Sequence, residues 1–340
     1  MSSPQSHERY SRQMLFAPVG AEGQRKLGAS SVLIVGMGAL GTVLANHMVR
    51  AGVGLVRFVD RDYVEASNLQ RQMLYDEDDV RESMPKAMAA ERKLKRINSS
   101  VRLEPVVADV TVENVERLLD GIEVVLDGTD NFQTRFLLND ACFKLGIPFV
   151  YGGAVGSRGM SAVFVPGATP CLRCLIQPGE GTAETCDRIG VLSPVVDISA
   201  SYQAVEALKL LVGAVAVRRP TLISFDVWNN HHFEMKTGEP KPDCPTCGTR
   251  EFPSLQQGAV DAASLCGRET VQLHVASSFD LTAWEERLSG LARVERNPFL
   301  LKAYLPEGER IVMFPDGRAL VQGTEDPVRA KTLYARYIGM

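Results

Sequence analysis

Apolar positions fall along this chain in two alternating periods. Residues 31–35 (SVLIV) are a short apolar run entering a glycine turn, the pattern of a buried strand, and 39–51 follow with apolar residues at helical spacing. Residues 55–60 predict a second strand, and 85–97 a charged, alanine-rich helix. The alternation continues with strands over 101–108 and 123–127 separated by a helix near 111–119, then a helix over 131–145 and a strand over 148–151. Strands and helices in turn at this spacing predict a parallel, doubly wound sheet.

The pattern changes after Gly152. Residues 152–166 read as a turn and an antiparallel strand, which makes the sheet mixed. Residues 176–194 are polar and glycine-rich and predict a long surface loop, a frequent place for function. A strongly apolar helix is expected over 194–212, and strands over 221–227 and 233–236 complete the sheet. The chain restarts near residue 251. Strands over 271–275, 300–305, 310–314 and 318–321, with helices over 281–291 and 327–337, predict a small α+β module. The expected organisation is a nucleotide-binding domain over 1–250 and this module over 251–340.

Hydrophobic residues make up 45% of the 340, enough for a substantial core, and the net charge of −4 gives no global pull toward nucleic acid or an anionic membrane. No apolar run approaches the roughly 20 residues of a membrane span. The N-terminus (MSSPQSHERYSRQ) lacks the apolar core of a signal peptide, so a cytoplasmic location is expected. Seven cysteines, clustered in short pairs, favour reduced thiols and metal binding over disulfides.

Gly36, Gly38 and Gly41 form G-x-G-x-x-G directly after a strand and at the start of a helix. Such glycines permit a tight turn and close backbone approach, and the helix N-terminus offers amide donors to phosphate. Asp60, nineteen residues past Gly41, stands where a carboxylate accepts from ribose hydroxyls. The fingerprint does not separate a nicotinamide cofactor from ATP. Arg71 in SNLQRQ, Lys86 in SMPKA, and Asp127 and Asp130 in LDGTDN tip the balance. Two cations and a carboxylate at the ligand edge suit a triphosphate with Mg²⁺, and hydride transfer calls for none of them.

RYSRQ, GMGALG, VDRDYVEASNLQRQ, PKA, DGTDN, the CxxC pairs and ETC, in one order, closely resemble the ThiF/MoeB family, bacterial relatives of ubiquitin-activating enzymes. The resemblance covers residues 7 to 250. It implies a Rossmann-like fold and ATP-dependent adenylation of the C-terminal glycine of a ubiquitin-like sulfur-carrier protein. It also implies that Asp60 holds the ribose, that Asn68, Arg71 and Lys86 contact phosphates, and that Asp130 holds Mg²⁺. Arg12 would reach the site of the other subunit in a homodimer. A Gly-Gly-ended carrier and a cysteine desulfurase are the expected partners.

A terminal carboxylate, of pKa about 3.5, is ionised at pH 7 and needs no general base. That agrees with a chain whose five histidines lie outside any motif. Cys171 and Cys174 in PCLRC, with Cys244 and Cys247 in DCPTCG, offer four thiolates for a closed, structural Zn²⁺ site. Cys186 stands alone in the polar loop. In ThiF-type enzymes the matching cysteine attacks the acyl-adenylate or carries an acyl-disulfide, and the alternative is an incidental cysteine that sulfur transfer bypasses. Cys142 reads as a packed helix residue and Cys266 as structural. Residues 251–340 lack the cysteine-centred loop of a rhodanese domain and resemble a C-terminal extension of some ThiF-like proteins. Three rival readings leave features over. An NAD-dependent oxidoreductase leaves Arg71, Lys86 and the cysteine pairs unexplained. A non-catalytic scaffold for a ubiquitin-like partner would have lost a phosphate-site residue. An enzyme adenylating a peptide or a tRNA modification fits the cysteines less well.

Overall fold

The computed structural model describes residues 8–176, 189–256, 262–265, 269–274 and 278–339. His7, Cys186 and Cys266 lie outside the described residues. Contacts divide the chain into two units, 1–257 and 258–340.

The first unit is built on β1 (Ser31–Val35), β2 (Leu55–Asp60), β3 (Arg102–Val107), β4 (Val124–Asp127), β5 (Phe149–Val155), β6 (Arg158–Phe164), β7 (Thr221–Asp226) and β8 (His231–Lys236). They form one sheet in the order β3-β2-β1-β4-β5-β6-β7-β8. Pairing is parallel from β3 through β5 and antiparallel from β5 to β8. β1 and β4 are buried at every position, as expected of strands covered on both faces.

Helices α1 (Gly20–Ala29), α2 (Ala39–Ala51), α3 (Lys86–Ile97), α4 (Phe132–Leu145) and α5 (Ser193–Val212) pack around this sheet. α2 ends on Gly52 and α4 on Gly146, both left-handed, the usual way for a helix to stop. One apolar cluster joins α2, α3 and α5 to one face (Leu44, Met48, Leu94, Val196, Ala207). A second joins α4 to the other (Leu138, Phe143, Phe149, Phe164). Because strand order reverses between β2-β1 and β1-β4, the chain leaves the C-terminal ends of β1 and β4 in opposite directions. That opens a crevice there, the place where open α/β sheets bind ligands.

The second unit holds an antiparallel sheet of β9 (Ala262–Leu265), β10 (Thr270–His274), β11 (Arg293–Arg296), β12 (Leu301–Tyr304), β13 (Arg310–Met313) and β14 (Arg318–Gln322), in the order β11-β12-β13-β14-β10-β9. Helices α6 (Leu281–Leu288) and α7 (Pro327–Tyr337) pack with it around Leu273, Leu288, Ile311, Val321 and Leu333.

Among the elements not legible in the apolar pattern are α1, β11 and β9. α1 (GAEGQRKLGA) buries only Gly23 and Leu27. It is held by close packing instead, since a side-chain carbon on Gly23 would lie 3.3 Å from both Val19 and Val212. β11 (RVER) is an exposed edge strand with almost no apolar signal. β9 is not among the expected strands, and it pairs with β10 over four residues.

Candidate nucleotide site and cysteine centre

The glycine turn after β1 is fixed from several sides. Gly36 has φ +88°, and a side-chain carbon there would stand 2.6 Å from the Gly128 carbonyl oxygen. A carbon on Gly41 would stand 1.8 Å from the Gly36 oxygen, so the start of α2 can touch the turn only through glycine. Gly38 is different. A carbon there meets only Gln72 Nε2, at 3.9 Å, which leaves open space above the N-terminus of α2. The Gly36 amide donates to Val59 O and the Gly128 amide to Val35 O, both at 2.8 Å, so the turns after β1 and β4 meet in the crevice.

Asp60 ends β2 beside this turn. Its Oδ2 accepts from the Met37 amide at 2.6 Å and its Oδ1 from the Asp62 amide at 2.7 Å. Burial raises its pKa above the usual carboxylate range, Lys86 opposes that, and Asp62 adds to it. Lys86 opens α3, is 3% exposed, and places its Nζ 3.2 Å from Asp62 Oδ2. Tyr75 links the two parts, donating to Met37 O at 2.7 Å and contacting Lys86 O at 3.1 Å. Neither Asp62 nor Tyr75 was legible as a site residue, because each acts through a contact distant in sequence.

Asn68 is buried, and its Oδ1 caps its own turn by accepting from the Glu65 amide at 3.0 Å. Its amide nitrogen is therefore the end suited to phosphate. Arg71, half-buried, donates to Ser67 O at 3.0 Å. Next to it, the buried Gln72 Oε1 accepts no hydrogen bond from the described residues. An orphaned polar atom beside open space above a helix N-terminus fits a bound nucleotide.

The residues after β4 divide into two roles. Asp127 is fully buried, and its carboxylate accepts from Thr129 N (2.9 Å), Thr129 Oγ1 (2.6 Å) and Arg135 Nε (2.9 Å). Arg135 goes on to Thr129 O (2.7 Å) and Gly152 O (3.0 Å), with its guanidinium over the rings of Phe132 and Tyr151. Asp127 thus shapes the turn, and Asp130, three residues on, is exposed at the same edge of the sheet. Gly152 has its own constraint, since a carbon there would lie 2.1 Å from Gln203 Oε1.

Arg12 lies elsewhere. Its short helix, Ser11–Met14, is tied to the C-terminal end of α2. Tyr10 OH accepts from Asn98 at 2.8 Å, its ring covers Gly52, and Gln13 donates to Ala51 O at 3.0 Å. Gly38 caps the opposite end of this thirteen-residue helix, about 20 Å away at 1.5 Å per residue. Arg12 is exposed at that far end, as are Leu15 (74%) and Phe16 (63%).

Cys171, Cys174, Cys244 and Cys247 come together with all four sulfur atoms within 4.8 Å of one another. Cys171 Sγ lies 3.5 Å from Cys244 Sγ, and Cys174 Sγ lies 3.3 Å from Cys247 Sγ. Tetrahedral thiolates about 2.3 Å from zinc would be separated by about 3.8 Å, so the cluster fits that ion. Burial pushes Cys247 up to about 12 and raises Cys171, so a cation is what would hold these sulfurs as thiolates. Cys142 is fully buried in α4, as its sequence context predicts.

A mixed α/β sheet with a glycine turn at its switch point, acids and cations along that edge, and a four-cysteine centre define a class of nucleotide-binding enzymes. The ThiF family profile matches residues 10–246, and the chain belongs to that family. It is 49% identical to the sulfur carrier protein ThiS adenylyltransferase of Bacillus subtilis, over 97% of this chain and 99% of that protein. It is 39% identical to the sulfur carrier protein adenylyltransferase of Thermus thermophilus, over 76% of this chain and 96% of that one. The adenylyltransferase and sulfurtransferase MOCS3 of Anopheles gambiae is 36% identical over 76% of this chain and 58% of its own length. The fold is also similar to a solved structure of Escherichia coli MccB with AMPCPP and MccA. The TM-score is 0.63 at 22% identity, over 73% of this chain and 75% of that one.

Proposed function

We propose that this chain uses ATP to adenylate the C-terminal glycine of a ubiquitin-like sulfur-carrier protein, releasing pyrophosphate. The observation that carries the reading is the crevice itself. An open helix N-terminus at Gly38, the orphaned Gln72 Oε1, the buried Lys86 and the exposed Asp130 line the C-terminal edge of β1, β2 and β4. The similarity to named sulfur-carrier adenylyltransferases supports the choice of acceptor.

In the proposed reaction one oxygen of the carrier's terminal carboxylate attacks the α-phosphorus of ATP. A new P–O bond forms, the bond from the α-phosphorus to the bridging oxygen breaks, and its electron pair leaves with pyrophosphate. The carboxylate is already ionised, so the barrier is anion against anion. Asp60 takes the ribose hydroxyls, and the amides above Gly38 with Asn68, Arg71 and Lys86 take the phosphates. Asp130 suits Mg²⁺, which would add positive charge beside the leaving group. The four cysteines would hold structural Zn²⁺. Cys186 is proposed as the thiol whose sulfur attacks the carrier's acyl-adenylate, forming a thioester as the acyl–phosphate bond breaks and AMP leaves.

Arg12 cannot serve the crevice of its own chain, since it sits at the other end of α2. We therefore propose a homodimer in which each subunit's Arg12 completes the partner site, with Leu15 and Phe16 covered by the partner. Reduced cysteine pairs suit the cytoplasm, where we place the chain; among the described residues no helix is long and apolar enough to cross a membrane. The enzyme is tested by ATP–pyrophosphate exchange with Gly-Gly-ended carriers. Exchange should require the carrier and vanish when its last glycine is removed. Equal exchange with the shortened carrier would contradict the assigned acceptor.

A further inference from the structure

The two cysteine pairs stand 70 residues apart in sequence, yet a buried polar hub that contains none of the cysteines joins their turns. Its centre is Asp140 on α4, fully buried. Oδ2 accepts from Arg173 Nη2 at 3.1 Å and from the Ser254 amide at 2.8 Å. Oδ1 accepts from Thr246 Oγ1 at 2.5 Å and from Asn139 Nδ2 at 3.1 Å. Arg173 lies inside the first CxxC and Thr246 inside the second. Asn139 adds a second hold on the first turn, accepting from the Leu172 amide at 2.9 Å. Arg173 closes the ring by donating to Thr246 Oγ1 at 3.2 Å and Ser254 Oγ at 2.8 Å, with its guanidinium 4.7 Å from the Phe136 ring centre.

We propose that Asn139 and Asp140 are positioning residues for the metal centre, holding the two CxxC turns in register so that the four thiolates are assembled before zinc arrives. The proposal rests on the zinc reading above. A buried carboxylate is costly unless its lone pairs are filled, and here four donors from three separate segments and its own helix neighbour fill them. The charge is balanced by Arg173, whose side chain is 10% exposed. An ion alone would have to collect two loops from a distant pair of segments, at a cost in loop entropy. The hub settles that cost within the protein fold. Partners of this kind around a metal centre typically change affinity 10- to 100-fold when removed.

Two variants separate the hub from the ligands. Asp140→Asn replaces one accepting oxygen with a donor that faces a donor. Thr246→Val keeps the side-chain shape and removes the hydroxyl that links the second turn. Both keep all four cysteines. The measurement is the rate at which full-length, zinc-loaded protein gives up its metal to a chromophoric chelator, together with the rise in Tm on zinc loading. Release should quicken about 10- to 100-fold in each variant, and the zinc-dependent rise in Tm should shrink. A merely architectural role would lower Tm by the same amount with and without zinc, and that result would overturn the proposal. If Asp140→Asn does not fold, Thr246→Val decides. A zinc-loaded wild type whose folded variants release metal at the wild-type rate overturns the hub alone. A wild type that takes up no zinc overturns both the hub and the zinc reading.

Discussion

Lys86→Ala is expected to lower carrier-dependent ATP–pyrophosphate exchange by about 10²- to 10³-fold, the scale seen when one preorganised donor to a developing negative charge is lost. The side chain opens α3 and is almost wholly buried, with Nζ 3.2 Å from Asp62. A charge so placed is worth more than one in water, because little solvent screens it. Its removal takes from Asp60 and Asp62 their nearest cation, which would add repulsion to the proposed encounter of anion with anion. Arg71, on the segment that follows Asn68, has a phosphate contact of its own in the proposed reaction and does not replace this charge. The defect should fall on the rate at saturating ATP, and denaturant titration should show that the variant is folded. Near-normal exchange in a folded Lys86→Ala protein would remove Lys86 from the chemistry.

Mixing two inactive proteins is expected to restore activity. Arg12→Ala removes the residue proposed to serve the partner, and Asp130→Ala removes one proposed to serve its own chain. A heterodimer of the two holds one intact site and one site lacking both groups. With random reassortment half of the dimers are mixed, so activity should recover to about a quarter of wild type. The effect is large because each parent should be lower by orders of magnitude. The proposed trans arrangement agrees with the anchoring of the Arg12 segment, which Tyr10 and Gln13 fasten to Asn98 and Ala51. Those anchors lie a helix length from Gly38. Exchange activity should be read after reassociation, with heterodimers confirmed by differential tagging. Confirmed heterodimers with no recovery would show that the site is not shared.

Most of the sheet could be read from the chain, because its strands are buried runs such as SVLIV and VVLD that end in glycine or aspartate. The glycine turn, Asp60 and the CxxC pairs were legible for the same reason, since each is a local pattern with a local purpose. What sequence did not disclose depends on contacts between distant segments. Tyr75 joins Met37 to Lys86, Arg135 joins Asp127 to Gly152, and Gln203 donates to Asp127 O and Val150 O. Asp140 is the extreme case, a residue in the middle of a largely buried helix, three of whose partners lie 33 to 114 residues away. Asp127 and Asp130 looked alike in LDGTDN, and only burial separates the one that shapes the turn from the one that is exposed beside it.

Attack of a carboxylate on the α-phosphorus is read from the nucleotide products together with the fate of the carrier's terminal glycine. Enzyme, ATP and carrier incubated with hydroxylamine should yield AMP and pyrophosphate in equal amounts, with a hydroxamate on the carrier's last residue seen by mass spectrometry. ADP and inorganic phosphate as the products, with an unmodified carrier terminus, would rule out attack at the α-phosphorus.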